Sequence, residues 1–204
     1  MLSRRAFVGG ASVFAVAGAV RGAVGASTGE RIAAAARAQL GVTTGYDPAY
    51  RAIAYPNGDV PRSTGICADV VVRACRDALG RDLQVLVHQD MAKAFAAYPR
   101  AWGARGTDTN IDHRRVLNLQ TYWARRGARI FAASGTAPGD FFGNDVRRGD
   151  FVTWLIFGRL PHVGVVGSEG PDPVIVNNLG EGVQEIPMSL YASHKAVGRY
   201  RWSG

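Results

Sequence analysis

Cysteine is scarce in this sequence: 204 residues hold only Cys67 and Cys75, beside four histidines. No H-E-x-x-H and no paired-cysteine spacing occurs, so a zinc site has too few ligands to start from. Internal repeats and low-complexity tracts are missing, which removes solenoids and arrays. Arginines are scattered, without a dense basic run interleaved with aromatics, and this argues against nucleic acid as a partner. The apolar run that ends at Val20 is too short and too rich in Gly and Ala for a membrane span.

What is there begins with a leader. Ser3-Arg4-Arg5-Ala6-Phe7-Val8 has the twin-arginine pattern; an uncharged apolar run and small residues around Ala23 to Ala26 follow. Residues 1–26 are therefore expected to be an export signal and residues 27–204 one mature domain, working in the periplasm or outside the cell. The leader carries three arginines and no acid, so its removal lowers the formal charge from +8 to +5. A moderately basic surface suits an anionic polymer such as cell wall.

The stretch TGICADVVVRACRDALG, Thr64 to Gly80, reads as a helix capped at Thr64 or Ser63 and stopped at Gly80. Cys67 falls in its first turn, where unpaired N–H groups and the helix dipole favour a thiolate nucleophile. Cys75 lies about 12 Å further along the same helix at ~1.5 Å per residue. That exceeds the Cα separation of about 4.4 to 6.8 Å a disulfide tolerates, so both thiols are expected to be free, and Cys75 to have a raised pKa among Val and Ala.

Ser27 and Glu30 have capping-box spacing before a helix that runs to Gly41. A Tyr/Pro/Gly/Asp-rich loop leads to the cysteine helix, and a further helix is expected from about His88 to Asp90 up to Pro99. Another spans about Arg115 to Arg126. β-Branched and aromatic runs then mark strands at Arg129 to Ala132, Asp150 to Phe157, His162 to Gly167, Val174 to Asn178, Val183 to Ile186 and Val197 to Trp202. Helices first and strands last is an α+β pattern.

A cysteine nucleophile needs a base and a group that orients the base. His162 opens a strand after a Gly/Pro turn, and the next strand ends in Asn177-Asn178, of which alternation lets only one face the histidine. This order resembles the papain-like clan, in particular its NlpC-type cell-wall peptidases. The segments YPNGDVP, GICADVV, HQDM, DTNIDHRRVLNL, PHVGVV and NNLG resemble an uncharacterised bacterial domain-of-unknown-function family placed in that clan. The match covers about Tyr46 to Trp202.

The resemblance implies a papain-like fold, the nucleophile helix packed on an antiparallel C-terminal sheet, and a cysteine peptidase or amidase acting on peptidoglycan peptides without a cofactor. Cys67 would be the nucleophile, His162 the base and then the acid, and Tyr55 an aid to the oxyanion site. Asn177 stands where that family is expected to carry histidine. It is favoured as the orienting residue, with Asn178 the alternative. Residues 81–148 exceed what compact NlpC-type domains place there and are expected to build a cleft wall.

Asp112, His113, Arg114 and Arg115 suit a substrate carboxylate or a structural network equally well. His88 and Asp90 fit a helix start, with a site wall as second choice. Asp108, Asn110 and Asp112 begin like a calcium loop, but His113 and Leu119 stand where Gly and Glu are needed. Two rival functions remain: a binding module on the same fold, and a thiol hydrolase of lipid or protein acyl groups served by the apolar run FVTWLIF.

Overall fold

The computed structural model describes residues 25–133 and 142–202. The expected leader falls almost wholly outside these residues, as does 134–141 within the expected cleft-wall segment. Helix α1 (Thr28–Arg37) opens with the capping box: the Glu30 N–H donates to Ser27 Oγ (3.2 Å) and the Ser27 N–H to Glu30 Oε2 (2.7 Å). Two short strands, β1 (Gly45–Tyr46) and β2 (Thr64–Gly65), pair in parallel across the intervening loop.

Helix α2 (Cys67–Leu79) follows directly and ends at Gly80, whose φ of 63° is the left-handed conformation that glycine adopts without steric cost. Its cap differs from the expected Thr64 or Ser63. Ile66 occupies that position and has no side-chain acceptor, so Asp69 reaches back and accepts the Ile66 N–H at 2.7 Å. Helix α3 (Leu83–Lys93) starts five to seven residues, about one and a half to two turns, before the expected position, because Asp82 caps it by accepting the Gln84 N–H at 3.0 Å. Helix α4 (Val116–Arg125) lies close to its expected bounds.

Six strands complete the chain: β3 (Arg129–Ala132), β4 (Phe151–Ile156), β5 (Leu160–Val166), β6 (Val174–Asn178), β7 (Val183–Pro187) and β8 (Lys195–Tyr200). Their order is β3-β8-β4-β5-β6-β7 with every neighbouring pair antiparallel. The fold is thus α+β. Strand β8 begins two residues before its expected start, since Lys195 and Ala196 already pair with Leu155 and Trp154.

Alternation along these strands makes two cores. Phe151, Val163, Val165 and Val176 pack against α2, joined by Trp123, which stacks on Phe151 at 4.6 Å. Val152, Trp154, Val166 and Ile175 face the other way, onto Phe142, Met188 and Tyr191. Gly164 lets β5 and β6 approach closely. A Cβ there would lie 2.4 Å from Ile175 Cγ2 and 3.1 Å from the Val176 carbonyl oxygen. Gly164→Ala is therefore expected to cost about 1–3 kcal/mol in urea denaturation; a loss below about 0.5 kcal/mol, the usual spread of neutral substitutions, would contradict this packing.

Candidate active site

Cys67 is the first residue of α2 and is buried. Its sulfur meets three backbone N–H groups, those of Val163, Ala68 and Cys67 itself, as a helix start allows. The expected thiolate is nonetheless disfavoured. Burial dominates and, with the nearby Asp69 charge, pushes the Cys67 thiol up to about 12 against the pull of those N–H groups. Cys75 is likewise free and buried, and burial alone raises its pKa further.

His162 sits in β5 beside Trp154 of β4, ring centroids 4.7 Å apart. Its Nε2 lies 3.3 Å from Asn177 Oδ1. The amide orientation follows from Asn177 Nδ2, which donates to the Ile175 carbonyl (3.3 Å) and to the Tyr191 hydroxyl (2.7 Å). A carbonyl only accepts, so Oδ1 is the atom turned to the imidazole, and His162 must carry its proton on Nε2. Nδ1 is then the basic nitrogen. Burial, opposed by the Asn177 bond, lowers the His162 pKa to about 4.

Asn178 points to the opposite face, donating to the Gly45 and Gly65 carbonyls at 3.1 Å each. Of the two amides, Asn177 is the one the structure places on His162. The histidine ring shares a face with Trp154 and Asn177, while the next peptide N–H, that of Val163, meets the Cys67 sulfur. Val163 faces α2 and Cys67, so His162, which alternates with it, turns its imidazole to the sheet face opposite the sulfur, beside Trp154. No hydrogen bond joins sulfur and imidazole among the described residues.

Beneath the cysteine is a buried ion pair that sequence reasoning missed. Asp69 accepts from Arg114 Nε (2.8 Å) and Nη2 (2.9 Å) while it caps α2 through Ile66. Gly65 makes room for it: a Cβ there would stand 3.1 Å from Asp69 Oδ2. Arg73, fully buried in the same helix, holds the preceding loop through Asp59 (3.0 Å) and the carbonyls of Val60 (3.1 Å) and Thr64 (3.0 Å). An acid in the first helical turn and an arginine amid valines were the available signals.

Cys67 opens onto a pocket of about 440 Å³ with Tyr46, Trp102, Arg115, Arg159 and Pro161 among its walls. Tyr55 is not part of it. Its ring lies edge-on to His88 at 5.4 Å, and Tyr46, placed by the β1–β2 pair, lines the pocket instead. Burial, then the charges of Cys67 and Asp69, push the Tyr46 hydroxyl up to about 12.

Of the expected substrate contacts, Arg114 and Arg115 line the pocket, and the former is committed to Asp69. Asp112 is buried and accepts the Asp108 N–H. His113 is buried with Nδ1 unpartnered, its pKa lowered by burial to about 4. Asp90 binds the Tyr98 hydroxyl (2.7 Å) and Arg125 (2.6 Å). These three, with His88, are not among the walls of that pocket. Of segment 81–148, Trp102 and Arg114 to Leu117 line this pocket.

Among the described residues no group of three or more His, Cys, Asp or Glu side chains converges on a common point, and no helix is long and apolar enough to cross a membrane. Residues 33–202 match the family described as Domain of unknown function (DUF1287). The sequence is also 42% identical over 160 residues, 77% of this chain and 73% of the relative, to the Escherichia coli (strain K12) protein called Uncharacterized protein YijF.

Proposed function

This chain belongs to the DUF1287 family, and we propose that it is an exported cysteine hydrolase of papain-like, NlpC-type fold, cleaving amide bonds in peptidoglycan stem peptides. The observation that carries this reading is the pairing of His162 Nε2 with Asn177 Oδ1, one peptide away from a sulfur at a helix start. In catalysis His162 Nδ1 takes the thiol proton as Sγ attacks the carbonyl carbon. The Cys67 N–H and the Tyr46 hydroxyl donate to the oxyanion. Collapse breaks the C–N bond, His162 returns the proton to the leaving amine, and a thioester remains. Water, deprotonated by the same nitrogen, releases the acid and regenerates the thiol. Catalytic hydrogen bonds missing at rest commonly form only in the substrate complex. Export rests on the twin-arginine leader.

A neutral resting pair has a signature in pH. With a His162 pKa of about 4 against an ordinary 6.5, the base is already free above pH ~5. The acid limb of kcat/KM is expected at about 4, measured as peptide release from purified sacculi. A limb near 6.5 would contradict a buried neutral imidazole; release of no peptide at all would remove the hydrolase reading.

One observation favours a second reading. A thiol raised to about 12 with no hydrogen bond to a base also fits a module that binds wall peptides without cleaving them. That module would hold sacculi equally well as Cys67→Ala and release nothing. Hydrolysis of acyl esters with no action on sacculi would instead favour lipid or protein acyl groups.

A further inference from the structure

We propose that the pocket beside Cys67 contains a carboxylate-binding subsite made by Arg115, laid on Trp102, and Arg159 from the β4–β5 turn. In terms of the hydrolase reading, on which the word substrate rests, the preferred acyl substrates carry an anionic group close to the scissile bond.

Three arginines line this pocket and no acidic side chain does, among the described residues. Arg114 is neutralised by Asp69. Arg115 and Arg159 form no ion pair among the described residues, and buried Arg115 Nε has no hydrogen-bond partner. The two acids nearest Arg115 are committed elsewhere: Asp112 to the Asp108 N–H, and Asp108 to the Tyr50 hydroxyl (3.1 Å) and Asn110 (2.9 and 3.0 Å).

The Arg115 guanidinium lies 4.1 Å from the centre of the Trp102 ring. That platform fixes its plane, so little side-chain entropy is lost when a ligand engages the fork. A planar guanidinium matches a carboxylate with two parallel hydrogen bonds. Ile66, Val116, Leu117 and Pro161 supply apolar walls for the carbon skeleton bearing that group. Arg159 is exposed on its turn, in position to contribute the second charge.

The experiment uses the folded full-length chain and two matched pairs of probes. N-acetylglycine and N-acetylglycinamide are titrated while the Trp102 indole resonance is followed by NMR. Iodoacetate and iodoacetamide are compared for their rates at Cys67, resolved by peptide mass spectrometry. The carboxylate form is expected to bind about tenfold more tightly than the amide, in line with a charge-assisted hydrogen bond. The iodoacetate to iodoacetamide rate ratio at Cys67 should exceed that of a small free thiol by a similar factor. Arg115→Gln and Arg159→Gln should each erode both preferences; Arg159 is exposed, so its variant keeps the fold.

Equal binding of the two acetyl probes, or a preference that survives both substitutions, overturns the subsite. Its failure is separable from that of the hydrolase. A Cys67 inert to both reagents with the titration preference intact sinks the chemistry and leaves the subsite. Peptide release from sacculi without any carboxylate preference does the reverse.

Discussion

Cys67→Ala is expected to reduce amide turnover about 10⁴-fold or more, the usual consequence of deleting a covalent nucleophile. The thiol is small and buried at the start of α2, so stability should change by only about 1 kcal/mol. His162→Ala should be nearly as severe. The double variant should be no worse than the worse single one, because two groups that act in one step do not add. Asn177→Ala should cost less, since it removes the orienting bond and leaves Nδ1 chemically intact. Single-turnover rates on a soluble wall peptide measure all four. Additive losses for Cys67 and His162 would show that they do not work as a pair.

Asp69→Ala is expected to lower unfolding free energy by about 3–5 kcal/mol, because it leaves the buried Arg114 guanidinium without a counter-charge. Both side chains are almost fully enclosed, 1% and 4% exposed, so solvent cannot take over the role of the lost partner. The same change uncaps α2 by freeing the Ile66 N–H. For a domain whose total stability is about 5–15 kcal/mol, that is a large share. Replacing both partners with leucine should recover most of it, since two apolar groups need no pairing. Urea denaturation decides the matter: a loss under 1 kcal/mol for Asp69→Ala would mean that water reaches Arg114.

Strands β3 and β6 fall on the residues expected from local pattern, because β-branched runs bounded by turn residues state their own limits. The choice between Asn177 and Asn178 was also legible, as alternation makes it binary and the motif order pointed to the first. Other features depend on long-range contacts that no local rule expresses. Asp69 and Arg114 are 45 residues apart, and only the folded chain brings them together. Tyr55 has a suggestive spacing from Cys67, yet the pairing of β1 with β2 carries Tyr46 to the pocket instead. The thiolate expectation is opposed for a related reason: helix-start N–H groups are a local property, whereas the burial that works against them belongs to the packing of α2 on the sheet. Asp82 capping α3 was readable in principle and was overshadowed by the apolar run that follows it.

Asn178 also sets an order of events. Its amide ties the carbonyls of Gly45 and Gly65 to β6, across sequence separations of 133 and 113 residues. Closing loops of that length is slow compared with forming the helices that precede them. The final seating of the Tyr46 wall on the sheet is therefore expected to come late, after β6 has joined it. A chain emerging from synthesis has α1 and α2 long before it has a finished cleft, and its thiol has no His162 until the last third of the sequence is in place. On the hydrolase reading, reactivity is thereby coupled by topology to completion of the chain.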